Sequence, residues 1–246
     1  MNPWDAAELD FDATTFSGIA RLFPLPNLVL YPHVMQPLHI FEGRYREMLE
    51  EALATDQLIA MAVLKPGWET DYESRPPISE YACLGKIVAH RRLPDGRYNV
   101  LLLGVGRVRI EKELDPLRSF RQARVEVVED CDDFVSNCER LKMQEQLLTA
   151  FREHLPCSCE LPEQLEGMLT SQMPLNLMTD LAAYALPLAP EVKLELLAEP
   201  CVRHRSALLL SEVSKLASTV AKTPGPTSAK KAATSPLVYP HIFSDN

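Results

Sequence analysis

Between Leu22 and Leu53 an apolar, proline-broken strand runs directly into an amphipathic helix. The strand reads Leu22-Phe23-Pro24-Leu25-Pro26, then Leu28-Val29-Leu30. Proline has no N–H for a sheet ladder, so Pro24 and Pro26 predict a strand start or a sheet edge. After Pro37 the apolar period changes. Phe41, Tyr45, Met48 and Ala52 fall on one narrow helical face, with Leu49 and Leu53 beside it. Glu42, Arg46, Glu47, Glu50 and Glu51 take the remaining circumference. That is the pattern of a helix laid on a core.

The 246 residues suffice for one large domain or two small ones. No run approaches the roughly 20 apolar residues that a membrane helix needs. Residues 1–18 are acidic and aperiodic, and the first sixteen lack the basic end and apolar middle of a signal peptide. They are expected to form a mobile arm, and the chain to be cytoplasmic. The six cysteines are then expected to be reduced thiols. The tightest group is His154, Cys157 and Cys159. Zinc sites commonly pair cysteines across two to four residues and need four ligands. A one-residue gap with no second pair is poor, so no metal or cofactor is expected.

The net charge of −9 disfavours nucleic acid as a general partner. The charge is uneven, however. Residues 86–124 hold ten Lys/Arg against four Asp/Glu, leaving the remainder near −15 by subtraction. Arg91, Arg92, Arg107 and Arg109 form the candidate basic patch. On strands such residues commonly face water and blunt sheet edges.

From about residue 20 to 130 the pattern is mostly strand. Gln57 to Leu64 is a short apolar run. Cys83–Arg92 and Arg97–Leu103 flank Pro94-Asp95-Gly96, a hairpin signal. Tyr98, Val100 and Leu102 share one face. Val108 and Ile110 alternate with Arg107 and Arg109, and Ala123, Val125 and Val127 with Arg124 and Glu126. This predicts antiparallel strands with one buried face. Gly104 and Gly106, followed by further strand, predict a bulge rather than a dinucleotide loop.

Residues 131–220 read as helices. Ser136 and Glu139 form a capping box for a helix reaching about Leu155, with Leu141, Leu148, Phe151 and Leu155 inward. Further helices are predicted near 161–171, 174–186, 190–199 and 201–219. Pro174 and Pro190 suit first turns, and Pro187 stops its helix near Leu186. Arg203-His204-Arg205 reads as a solvated helical stretch. The Pro/Ser/Thr/Ala/Lys-rich tail, 221–246, predicts disorder, with an apolar end at Leu237–Phe243.

Several spaced positions carry a family resemblance. They are Leu22–Leu25, Val29-Leu30-Tyr31-Pro32, Gln36-Pro37-Leu38 and Ile40-Phe41-Glu42-Gly43-Arg44-Tyr45. Further positions are Gly104–Ile110, Thr179–Leu188 and Lys193–Glu199. Together they resemble the Lon protease N-terminal, or LON substrate-binding, domain over roughly residues 20–217. His33 stands where that family usually has Gly, which asks a non-glycine residue to adopt positive φ.

The resemblance implies an α+β fold: a PUA-like, partly open β-barrel (19–130) followed by an α-helical bundle (131–220). It also implies non-covalent recognition of polypeptide. Unfolded or degradation-tagged chains are the expected partners, with an adaptor role toward a separate ATP-dependent protease. Lon proteases add an ATPase and a Ser-Lys protease domain, but no P-loop glycine pattern precedes Gly85-Lys86. No nucleophile has a recognisable partner, so no catalysis is expected. Met61, Trp68, Tyr72 and Tyr81, on or beside an irregular loop, are the candidate anchors for an extended partner. Glu42 and Arg44 read as an ion pair and a cap. The competing reading is small-molecule, RNA or DNA binding by the barrel.

Overall fold

The computed structural model describes residues 11–70, 75–154 and 173–220. Six strands form one mixed sheet: β1 (Ile19–Leu25), β2 (Met35–Ile40), β3 (Leu58–Val63), β4 (Tyr81–Arg92), β5 (Tyr98–Glu113) and β6 (Arg121–Val128). Their order is β2-β5-β4-β3-β1-β6, and β6 pairs again with β5. Five strands therefore close a ring, and β2 hangs outside it on the first half of β5. The long β5 permits this, because Tyr98–Leu103 pairs with β2 while Arg107–Glu113 pairs with β6.

One pairing differs from the expected antiparallel set: β1 and β3 are parallel. Parallel neighbours need a crossover, and β2 with helix α1 (Gly43–Leu53) supplies it. All six residues of β3 are buried. Ile59, Met61 and Val63 join the large core that also takes up the helices, whereas Leu58, Ala60 and Ala62 join a smaller cluster. Burial on both faces explains why this strand reads as a continuous apolar run.

Pro24 obeys the edge rule locally. Pairing of β1 with β6 ends at Leu22. The Leu25 carbonyl accepts from Leu64 N–H in the β3 direction, so Pro24 turns its missing N–H to the vacated side. The Leu28–Leu30 stretch is irregular rather than strand, and Pro37 lies inside β2, not at a helix entrance. In α1 Tyr45, Met48, Leu49 and Ala52 are buried as the period predicts. Phe41 precedes the helix and is 60% exposed, so it is no part of that buried face.

The Gly104 region is a close backbone approach. His33 has φ 65° and donates to the Gly104 carbonyl at 2.7 Å, while Gly104 N–H donates to Val34 at 2.9 Å. A Cβ on Gly104 would meet the Tyr31 carbonyl oxygen at 1.9 Å. β5 also bulges here: Leu84 faces Gly106 while Gly85 faces Gly104.

Among the described residues four helices follow the strands: α2 (Asn137–His154), α3 (Leu175–Ala185), α4 (Pro190–Ala198) and α5 (Val202–Val220). Ser136 caps α2 by accepting from Glu139 N–H at 3.2 Å, and Glu139 reaches back to Val135 N–H. Leu141 is not inward; it is 59% exposed, whereas Leu147 and Gln144 are buried and Leu148 packs partly buried against the core. The expected helix at 161–171, Leu155, the Phe151 side chain, the arm before Phe11 and the tail from 221 lie outside the described residues. Leu186 is extended, as Pro187 requires. Among the described residues no helix is long and apolar enough to cross a membrane.

Candidate functional site

The four arginines of the candidate basic patch do not come together. Arg91 and Arg92 are exposed at the hairpin end of β4. Arg109 sits opposite Tyr81 at the other end, roughly 30 Å away at the rise of a strand. Arg109 pairs with Glu126. Arg107 is only 2% exposed, which corrects its outward placement.

Arg107 belongs to a buried network that joins the barrel to the helices. Its guanidinium donates to Asp180 on α3 and, at 3.1 Å, to Asp130. Arg205 on α5 is fully buried, not solvated. It donates twice to Asp130 at 2.9 Å, to Thr179 at 3.3 Å and to the Glu199 carbonyl at 2.9 Å. Burial is the largest influence on Asp180 and pushes its carboxyl up, against the pull of Arg107 and Arg205. Burial also works to raise Asp130, but hydrogen bonds and charge from Arg205 and Arg107 hold it below its ordinary range. Beside the network, burial pushes up the Tyr31 hydroxyl and the Cys83 thiol, the reverse of nucleophile activation. One sequence signal pointed here: Asp180 is the sole charged residue of the Leu175–Ala185 helix, and a carboxylate in that setting calls for a cation.

Of the candidate anchors, Met61 is 1% exposed and packs in the core, so it offers no surface to a partner. Trp68, in a short 3-10 turn, and Tyr81, at the start of β4, are half-buried. Tyr72 lies outside the described residues. Glu42 and Arg44 form an ion pair at 2.8 Å, but Glu42 makes no side-chain cap on α1.

The best-formed docking feature is one that Pro37 hid. Gly104 N–H donates to Val34, so alternation turns the even-numbered residues of β2 toward β5. The main-chain groups of Met35, Pro37 and His39 then point to the outer edge, where no described strand pairs and the Pro37 carbonyl accepts from the Gln36 side-chain amide at 2.9 Å. The proline, which lacks an N–H, falls on that side as the ladder demands. Met35 is 39% and Phe41 60% exposed, with His39 exposed between them. His39 lies 6.2 Å from Phe41, centroid to centroid, and bonds Asn99 at 2.8 Å. An open strand edge flanked by apolar side chains can receive an extended chain.

Among the described residues one group resembles a metal-ligand set: Asp133, Cys201 and His204, with ligand atoms within 4.8 Å. Arg203 already occupies the cation's place, holding both Asp133 oxygens at 2.9–3.0 Å. The Cys201 thiol donates to the same carboxylate at 2.9 Å. Cys157 and Cys159 lie outside the described residues.

Comparison with known proteins places this module in a class. The family model of the ATP-dependent protease La (LON) substrate-binding domain matches residues 19–215, and the chain belongs to that family. Among relatives, Lon protease of Brucella suis is 23% identical over 194 residues, which is 79% of this chain and 23% of that protein. Lon protease of Roseiflexus castenholzii is 28% identical over 181 residues, 73% of this chain and 22% of its own length. The chain thus spans under a quarter of these relatives. A Lon N-terminal domain protein from Xanthomonas campestris shares the fold with TM-score 0.58 at 23% identity, covering 78% of this chain and 97% of that one. The N-terminal domain of a Mycobacterium avium complex Lon protease gives TM-score 0.60 at 16% identity, covering 80% and 98%. The matched region is the substrate-binding module, not the ATPase or protease domain.

Proposed function

We propose that this chain recognises polypeptide without cleaving it. It holds unfolded or degradation-tagged segments and acts as an adaptor to a separate ATP-dependent protease. The observation that carries the reading is the outer edge of β2, where no described strand pairs and Met35 and Phe41 stand exposed within a substrate-binding-domain fold. Main-chain pairing gives affinity for any extended chain, and the two side chains add apolar contact. Trp68 and Tyr81, half-buried and away from this edge, are proposed as further contacts for the same chain.

The test is fluorescence anisotropy of a labelled, permanently unfolded polypeptide with the full chain. Met35→Ser with Phe41→Ser is expected to weaken binding at least about tenfold, since two apolar contacts contribute on the order of 1.5 kcal/mol or more. Unchanged affinity in the double variant would remove the β2 edge as the site. Co-precipitation with an ATP-dependent protease tests the adaptor role.

A further inference from the structure

A cleft of about 320 Å³ opens where β1 and β3 end, between the first turn of α1 and the β5–β6 connection. Four arginines line it: Arg44, Arg75, Arg118 and Arg121. No carboxylate is among its lining residues within the described part of the chain. Carboxylates outside the lining set reach it: besides those on the arginines, Glu47 accepts from the lining Ser119 hydroxyl at 2.6 Å. Arg121 is held by Glu113 at 2.8 Å and by the Pro76 carbonyl at 2.8 Å. Arg44 pairs with Glu42. Arg118 meets Glu51 at 3.2 Å, a carboxylate it shares with Arg21. Arg75 is exposed and touches only the Leu114 carbonyl at 3.4 Å, with no carboxylate partner among the described residues. Helix α1 contributes Arg44 and Tyr45 from its first turn, which carries no acid and no side-chain cap. The positive end of the helix dipole also lies here, partly offset by the carboxylate of the N-cap residue Glu42.

We propose that this cleft binds the carboxylates of an acidic, extended polypeptide segment. This deepens the polypeptide-recognition reading and rests on it. Guanidinium forks match carboxylates in a bidentate geometry, and Arg75 and Arg118 are exposed to solvent. Polypeptide fits better than nucleic acid for two reasons. The cleft's rings, Tyr45 and Phe120, are 4% and 2% exposed, so neither offers a face on which a base could stack. The chain as a whole carries −9, which works against a phosphate backbone running beyond the cleft.

The experiment measures binding of the full chain to three labelled peptides of one unfolded sequence, bearing Glu, Gln or Lys at the same positions. The Glu peptide is expected to bind at least about tenfold tighter than the Gln peptide, the scale of one charge-assisted hydrogen bond. Arg75→Ala with Arg118→Ala should erase that difference, and Arg75→Glu with Arg118→Glu should turn the preference toward the Lys peptide. Equal affinity for the Glu and Gln peptides, or a preference that survives both arginine variants, would overturn the cleft. If all three peptides bind alike and the Met35/Phe41 variant weakens them all, the cleft falls and the β2 reading stands. If none binds, both fall. Tighter binding of a single-stranded RNA oligomer, lost in the same arginine variants, would overturn the choice of polypeptide as occupant.

Discussion

Arginines gather in two regions of this molecule, and carboxylates decide what each region does. At the junction of barrel and helices, Arg107 and Arg205 are buried among Asp130 and Asp180, brought by the end of β6 and by α3. In the cleft beside α1, Arg75 and Arg118 are exposed, whereas Arg121 is buried against Glu113 and Arg44 pairs with Glu42. The first region is spent on itself: charge taken out of water is matched by charge and has none left for a ligand. The second keeps one exposed arginine, Arg75, without a carboxylate partner among the described residues, beside three that are paired. Side-chain type is the same in both, so the difference lies in which elements the topology brings alongside.

The largest test of this contrast is Asp180→Ala. Removing Asp180 leaves two buried guanidiniums facing the single Asp130 carboxylate, and a loss of about 3–5 kcal/mol is expected in chemical denaturation. A loss below about 1 kcal/mol would show that the network is not desolvated and that the two regions are alike. Replacing Asp180 by Leu together with Arg107 by Met should cost less than either single change, because no uncompensated charge then remains.

A mid-sized effect is expected from pH. Asp130 titrates lower folded than unfolded, so its interactions stabilise the fold above the ordinary carboxylate value of about 4 and are lost as pH falls through the folded value. Stability should decline in acid, and Asp130→Asn should flatten that limb while lowering stability at neutral pH. An acid limb unchanged in Asp130→Asn would mean that other carboxylates carry it.

The smallest effect sharpens the other side. Arg75→Ala is expected to alter stability by no more than about 0.5 kcal/mol, the scale for exposed side chains without ion pairs. A loss comparable to that of Asp180→Ala would make the cleft a structural element and not a surface poised for a partner.

Much of the architecture was legible along the chain because it rests on local rules. The Pro94–Gly96 turn, the Ser136 capping box, the Pro187 stop and the buried face of α1 each depend on a few neighbouring residues. The positive φ of His33 follows from the family position it occupies, and the bulge around Gly104 from its glycine spacing. The misreadings share one cause. Pro37 resembles a helix entrance, Arg107 an outward strand residue, Arg205 a solvated helix residue and Met61 a surface anchor. Each was assigned by period or by residue type, and each was reassigned by an element far away in sequence: β5 for Pro37, α3 for Arg107, β6 and α3 for Arg205, the helix-covered core for Met61.

By itself the sequence determined the kind of protein, because a spaced set of apolar, proline and glycine positions specifies strands, turns and caps through backbone sterics and burial. Which charges are buried, and which strand edge carries no described partner, was decided only in the tertiary structure. Burial and pairing are properties of surfaces in contact, and the residues that form those contacts here lie as far apart in the chain as Arg107 and Asp180, 73 positions.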